Sequence, residues 1–286
     1  MDVRQLEYFL AVVDHGGVNR AAGALYLAQP SLSQAIRALE RDLGQELFHR
    51  VGRRLVLTDA GHALVEPARE VLRGLQVARA SVESVGALTA GRVEIASMPS
   101  QSVEPLSELI KAFTVAYPGL QVTIRAAFTA PEVIEMVRTG VTELGLLGSA
   151  EPPTAVEVEV RMLARQRFVV VAPPDAPFSG KITRDDLAGH RMIVGQRGTG
   201  MRRLADELDV FDVVESEHRE AILPLVLGGV GLAVLTESWA ALAKKAGATV
   251  LDLEPAAYLH VALVNRQARL SPAATAFLET AYRLSL

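Results

Sequence analysis

Leu6, Phe9, Leu10 and Val13 recur at i, i+3, i+4 and i+7, the spacing that lines one face of a helix, and His15, Gly16 and Gly17 close it. A second short helix is expected behind Asn19, a good N-cap, with Ala21, Ala22 and Leu25 on its inner side; Gly23 within it weakens it by about 1 kcal/mol. A third helix opens at Gln29 and Pro30, where a first-turn proline forfeits no hydrogen bond, and it turns Leu32, Ile36 and Leu39 inward. Only Tyr26 to Gln29 separate the second and third helices, so the pair reads as a helix-turn-helix propped by the first. Small Ala21 and Ala22 allow the close approach this needs. The outer side of the third helix then carries Ser31, Ser33, Gln34 and Arg37, with reach toward base edges and phosphates, and Gln29 and Pro30 at its start complete the set expected to approach the bases. From His49 to Thr58 the chain has Arg50, Arg53 and Arg54, no acid, and a turn at Gly52, which reads as a hairpin wing. Asn19, Arg20 and the three wing arginines are the candidates for holding phosphates.

Thr58 is the expected N-cap of a helix running to about Leu88. Leu64, Ala68, Val71, Leu75, Ala78, Val82 and Val85 follow one another at alternating spacings of 4 and 3, a heptad seam that seeks a partner. A helix of about 30 residues is roughly 45 Å long, too long to lie across a small winged domain, so a second copy of the chain is the expected partner. Packing against its own C-terminal half is the alternative, and Pro67 is expected to bend the axis.

After a break at Thr89-Ala90-Gly91, short apolar strands alternate with helices. Strands are expected at 92–96, 122–126, 144–147, 168–172, 192–195, 232–235 and 259–264; helices at 102–116, 131–139, 201–208 and 220–227. Alternation of this kind implies an α/β domain with mostly parallel sheets, whose ligands sit beyond the strand C-termini. Two strand-to-helix junctions suit an anion: Ser97, Ser100, Gln101 and Ser102 at one, and Gln196, Arg197 and Thr199 at the other. Ordinary helix capping explains either junction taken alone.

The chain has 286 residues, half of them hydrophobic, which is enough for about two domains. It contains no cysteine, which excludes a disulfide framework, thiolate metal sites and a cysteine nucleophile. No phosphate-binding G-x-x-x-x-G-K-[ST] occurs, and Gly228-Gly229-Val230-Gly231 precedes a strand, the wrong order for a dinucleotide fingerprint. The six histidines show no metal-ligand spacing, so no metal and no catalytic residue is expected. The N-terminal segment lacks the basic start and length of a signal peptide. The longest uncharged stretch, Ala221 to Thr236, is too short for a membrane span, so a cytoplasmic protein with no membrane partner is expected. Net charge is −4 with an isoelectric point near 5.9, which does not advertise a nucleic-acid partner. Residues 1–58, however, hold seven basic side chains against six acids, so the acidic excess belongs to the rest of the chain.

The motifs Gln29-Pro30-Ser31-Leu32-Ser33, Ile36, Leu39-Glu40, Leu43-Gly44, Leu47-Phe48, Leu57-Thr58 and Ala60-Gly61 together resemble the DNA-binding half of LysR-type transcriptional regulators. Phe113, Tyr117-Pro118, Val122, Gly140 and residues 228–235 resemble the family's effector domain more weakly. Five positions depart from the family pattern: Gly17 and Val18 stand where serine and an aromatic are usual, Ala28 replaces serine, Ala127 replaces glycine, and Glu143 replaces aspartate.

The resemblance implies a winged helix-turn-helix over 1–58, a linker helix and hinge over 59–90, and a two-lobed, periplasmic-binding-protein-like α/β effector domain over 91–286. Lobe one would be 91–165 plus 266–286, and lobe two 166–265. The cleft between them would be lined by Ser97, Ser100, Gln101, Thr129, Gln196 and Thr199, with a small-molecule effector such as a carboxylate or another anion. Further implied partners are double-stranded DNA, a second copy through antiparallel linker helices, a dimer of dimers, and RNA polymerase. Two other readings stay open on the residues alone: an α/β half that serves only oligomerisation, and an enzyme domain tethered to DNA.

Overall fold

The computed structural model describes residues 1–52, 54–83, 90–208 and 211–284. The chain divides into two compact units, Met1–Gly86 with Thr139–Val141, and Ala87–Arg138 with Thr142–Leu286.

In the first unit, α1 (Val3–Asp14), α2 (Val18–Ala24) and α3 (Gln29–Leu43) are followed by the hairpin β1 (Phe48–Val51) and β2 (Arg54–Leu57), then by α4 (Asp59–Glu83). Their core joins Leu6, Phe9, Leu10 and Val12 of α1 to Ala21, Ala22, Leu32, Ile36, Leu39 and Leu47. Val13, expected on the apolar face, is only partly buried, while Val12 is 1% exposed. At the end of α1, Gly16 takes a left-handed φ of 64°, its N–H donates to the Val13 carbonyl, and Gly17 N donates to Val12, a Schellman closure. Gly17, with φ 150°, is then the N-cap of α2, so Asn19 lies within the helix instead of capping it. The backbone turn needed here is open to glycine and disfavoured for asparagine.

Thr58 caps α4 as expected: its Oγ1 accepts from Gly61 N (3.0 Å) and donates to the Glu46 carbonyl (2.6 Å). The heptad seam is not free along its length. Ala68 is 1% exposed and, with half-buried Leu64, Val65 and Leu72, completes the core of the winged domain. From there on the seam opens, with Val71 49% and Val82 74% exposed, Leu75 partly buried and Ala78 exposed; Val85 lies outside the described residues.

In the second unit β3 (Gly91–Ser97), β4 (Leu120–Ala126) and β5 (Leu144–Ser149) are parallel in the order β4-β3-β5. The helices α5 (Leu106–Ala116) and α10 (Pro272–Leu284) pack with Phe113 and Phe277 on one face, and α6 (Ala130–Arg138) packs with Val133 and Val137 on the other. Glu143 ties α10 to this lobe, accepting from the Ser271 N–H and hydroxyl at 2.7 Å each. β6 (Val158–Ala172) then runs through both lobes. Its first part pairs antiparallel with β12 (Tyr258–Arg266), which also pairs with β5; its last part, Phe168–Ala172, pairs antiparallel with β10 (Ala233–Thr236) and β11 (Thr249–Glu254). The second lobe is completed by β7 (Lys181–Thr183), β8 (Arg191–Gly195), α7 (Gly200–Asp206), β9 (Phe211–Ser216), α8 (Arg219–Leu227) and α9 (Ala240–Lys245), around a core from Phe168 to Leu253.

Two expectations change. The sheets are mixed, because β6 crosses between the lobes and pairs antiparallel with β12, β10 and β11, and β12 pairs antiparallel with β5 as well. The return crossing falls near Ala257, whose carbonyl accepts from Phe168 N, and not at 265–266, because all of β12 is paired into lobe one.

Candidate functional site

On the first unit, α2, α3 and the hairpin surround a groove of about 670 Å³ lined by Gly16, Gly17, Val18, Asn19, Arg20, Gln29, Ser33, Arg50, Leu55 and Val56. Five expected polar residues therefore converge on one surface. Arg20 is held by donating from Nη2 to the Gly16 carbonyl (2.6 Å), and Gln29 by donating from Nε2 to Ser33 Oγ (2.8 Å). Pro30, Ser31, Gln34 and Arg37 are exposed on the same helix, outside the groove's lining. Arg53 and the side chain of Arg54 lie outside the described residues. Glu40 fixes the wing against α3: its Oε1 accepts from Leu47 N (2.9 Å) and Phe48 N (3.4 Å). The sequence reading passed over Tyr26, which sits in the turn with φ 54° and is 96% exposed. A large side chain left in water in a strained turn is a candidate contact that only the backbone angle reveals.

On the second unit, a narrow cleft lies where the lobes face each other. Met98, Pro99 and Ser100 follow β3, Phe128 follows β4, and Gly148 is in β5; Gly195 ends β8 and Gln196, Thr199, Gly200 and Met201 follow it; Ser216 ends β9 and Glu217, Arg219 and Ile222 follow it, with Leu259 of β12 between. These positions mark the C-terminal ends of parallel strands in both lobes, where α/β sheets bind ligands. The cavity volume is about 30 Å³, room for about two waters or one small functional group.

Of the eight expected effector residues, Ser100, Gln196 and Thr199 line this cavity. Thr199 also caps α7, accepting from Arg202 N (3.3 Å) and donating to the Gln196 carbonyl (2.9 Å). Ser97 and Gln101 are buried outside the lining, with Gln101 Nε2 donating to Ser100 Oγ at 3.1 Å. Thr129 caps α6 through Glu132 N (3.3 Å), because the chain enters that helix at 129. Ser102 and Arg197 are exposed, because the helix after β3 begins only at Leu106 and the loop after β8 carries Arg197 outward. The cation expected from Arg197 is supplied instead by Arg219, at the first position of α8 and 9% exposed. Burial with no acid against it pulls this guanidinium down to about 9, so it remains charged at neutral pH. A basic residue opening an apolar helix opposes the helix dipole, and that was the available signal for it.

The comparisons with known proteins show the family. Residues 3–62 match the bacterial regulatory helix-turn-helix model of the LysR family, and residues 86–284 match the LysR substrate-binding domain model. The chain belongs to the LysR family of transcriptional regulators. A RuBisCO operon transcriptional regulator of Allochromatium vinosum is 29% identical over 290 residues, spanning 98% of this chain and 95% of the relative. The regulator TfdS of Cupriavidus pinatubonensis is 30% identical over 298 residues, spanning 99% and 98%. Among solved structures, a full-length OxyR variant from Pseudomonas aeruginosa matches with TM-score 0.75 and 23% identity over 100% of this chain and 95% of that one. CbnR in complex with its target DNA matches with TM-score 0.69 and 23% identity over the whole of both chains. The LysR-family chain is thus a DNA-binding regulator with a two-lobed effector domain, and its relatives are regulators, not enzymes. Among the described residues no cluster of potential metal ligands occurs, and no helix is long and apolar enough to cross a membrane.

Proposed function

We propose that this LysR-family regulator works in the cytoplasm as a homo-oligomer, a dimer or a dimer of dimers, on a two-fold-related DNA site. Gln29, Pro30, Ser31, Ser33, Gln34 and Arg37 approach the bases, while Asn19, Arg20, Arg50, Arg53 and Arg54 hold phosphates. A small anion, such as a carboxylate, enters the cleft between the lobes and alters the bound DNA; contact with RNA polymerase transmits the outcome. The observation that carries this reading is the convergence of strand C-termini from both lobes on a cavity whose buried charge is positive.

Footprinting of the full chain on the DNA beside its own coding region, with and without small organic acids, tests it. Two protected half-sites whose cleavage pattern changes with an acid are expected. A stable footprint that no small molecule alters, with no ligand raising the melting temperature, would instead favour an effector half that serves only assembly.

A further inference from the structure

Arg219 is buried in the cleft wall with an unusual deficit. Its Nε and Nη2 are both sealed from solvent, and neither has an acceptor among the described residues. These two N–H groups form one edge of the guanidinium, the side-on fork that matches the two oxygens of a carboxylate. Its nearest aromatic neighbour is Trp239, with the ring centroid 5.8 Å from Cζ, and that ring offers no anion. A buried cation left unpaired is destabilising, so the fold keeps it at the expense of its own stability. Such a deficit is expected where a ligand completes the pairing.

We propose that Arg219 sets effector specificity by taking a compact monocarboxylate side-on through Nε and Nη2, which a small displacement of the surrounding cleft wall first uncovers. This inference rests on the cleft being the effector site. The rest of the wall selects for a single charge on an apolar body: Met98, Phe128, Met201, Ile222 and Leu259 surround the space, and exposed Glu217 at its edge repels a second negative charge. The small free volume favours a short ligand over an extended one, and the wall's having no second cation among the described residues disfavours a phosphate.

Trp239 is the chain's single tryptophan, so its emission reports on the neighbourhood of Arg219. The experiment titrates the full chain with propanoate, benzoate, their neutral amides and inorganic phosphate, following Trp239 emission and melting temperature, in the unaltered protein and in Arg219→Gln and Arg219→Lys. The expected result is that an acid changes the emission and raises the melting temperature while its amide binds at least about 30-fold more weakly. In Arg219→Gln the acid's advantage disappears, and the protein without any probe melts a few degrees higher because the unpaired charge is gone. Arg219→Lys recovers part of the acid's binding, since a point charge replaces the fork.

Amides binding as well as acids, phosphate preferred over both, acid binding unaffected by Arg219→Gln, or no response to any probe would each overturn the assignment of Arg219. If amides bind with a change in Trp239 emission, the cleft stands as the effector site and only the ligand class falls. If acids raise the melting temperature equally in both proteins without changing the emission, they bind elsewhere and the cleft reading falls too. The acid-against-amide comparison in the unaltered chain decides the matter even if a variant does not fold.

Discussion

Gly61 has no room for a side chain: a Cβ there would lie 2.2 Å from the Leu47 carbonyl oxygen and 2.8 Å from Leu57 Cδ2. Its identity belonged to a family pattern in the sequence, but the reason for it is a close approach between α4 and the start of the wing, which no spacing rule exposes. Gly61→Ala should therefore lower stability by about 1–3 kcal/mol, because the backbone it meets cannot yield as a side chain would. A denaturation midpoint equal to that of the unaltered chain would show that α4 shifts freely. Ala28 presents the opposite case, a site with a missing interaction. It is the N-cap of α3 in extended conformation (φ −69°, ψ 131°) with no side-chain hydrogen bond, as its composition implied. Ala28→Ser supplies an acceptor for the first-turn amides and should stabilise the domain by about 0.5–2 kcal/mol, read as a higher melting temperature. Glu143 shows a departure from family pattern being absorbed: the longer carboxylate still reaches both donors of Ser271, and Ser271 Oγ in turn accepts from Ala274 N (3.2 Å) to start α10.

Helices α1 and α3 of the first unit could be read from sequence because each is amphipathic and is closed by a left-handed glycine, Gly16 and Gly44. β6 could not be read in full, for a physical reason: its first part is largely exposed or half-buried, while Phe168–Ala172 is buried on both faces. Only the second part has the unbroken apolar run that marks a strand. The short strands β7, β9 and β11 and the mixed strand directions escaped for the same cause, since direction is set by distant pairing partners. In α4 the heptad positions divide in purpose. Leu64 and Ala68 serve the core of their own domain, whereas Val71 and Val82 are exposed apolar positions on the continuation of the same seam. Paired linker helices would cover the latter two. Val71→Glu with Val82→Glu should then shift the protein toward monomer in light scattering while leaving its melting temperature at low concentration nearly unchanged, since neither side chain contributes to the core. Leu64→Ala should do the reverse, lowering stability by about 1–3 kcal/mol with the oligomer retained at low temperature. Unchanged oligomers in the double variant would move the self-association surface elsewhere.

An acidic protein that binds DNA must concentrate its attraction. The total charge of −4 conceals a DNA-binding half whose arginines Arg50, Arg53 and Arg54 stand close together in the sequence, and an effector half that carries the acidic excess. The order of these parts was readable because each motif is local in sequence. The cleft between the lobes was readable only in part, because its walls come from segments at and after the ends of β3, β4, β8 and β9, and its buried cation, Arg219, is remote from Ser100 along the chain. With so little net attraction in one copy, the proposed homo-oligomer would gain affinity from several wings engaging one site, which would also make binding strongly salt-dependent. Arg50 and Gln34 separate the two kinds of contact. Arg50 lines the groove at the wing and has a phosphate's complementary charge, so Arg50→Ala should weaken binding to every sequence and flatten the dependence of log K on log salt by about one unit per engaged wing. Gln34 is exposed on α3 and offers both a donor and an acceptor, so Gln34→Ala should cost about 1–3 kcal/mol on the preferred sequence and relax discrimination at one base pair, with the salt slope unchanged. Binding titrations at several salt concentrations, on the preferred site and on singly altered sites, measure both effects. If the two variants lose affinity equally on all sequences and with the same change in slope, α3 is not the reading element and the groove between α2, α3 and the wing has been given the wrong task.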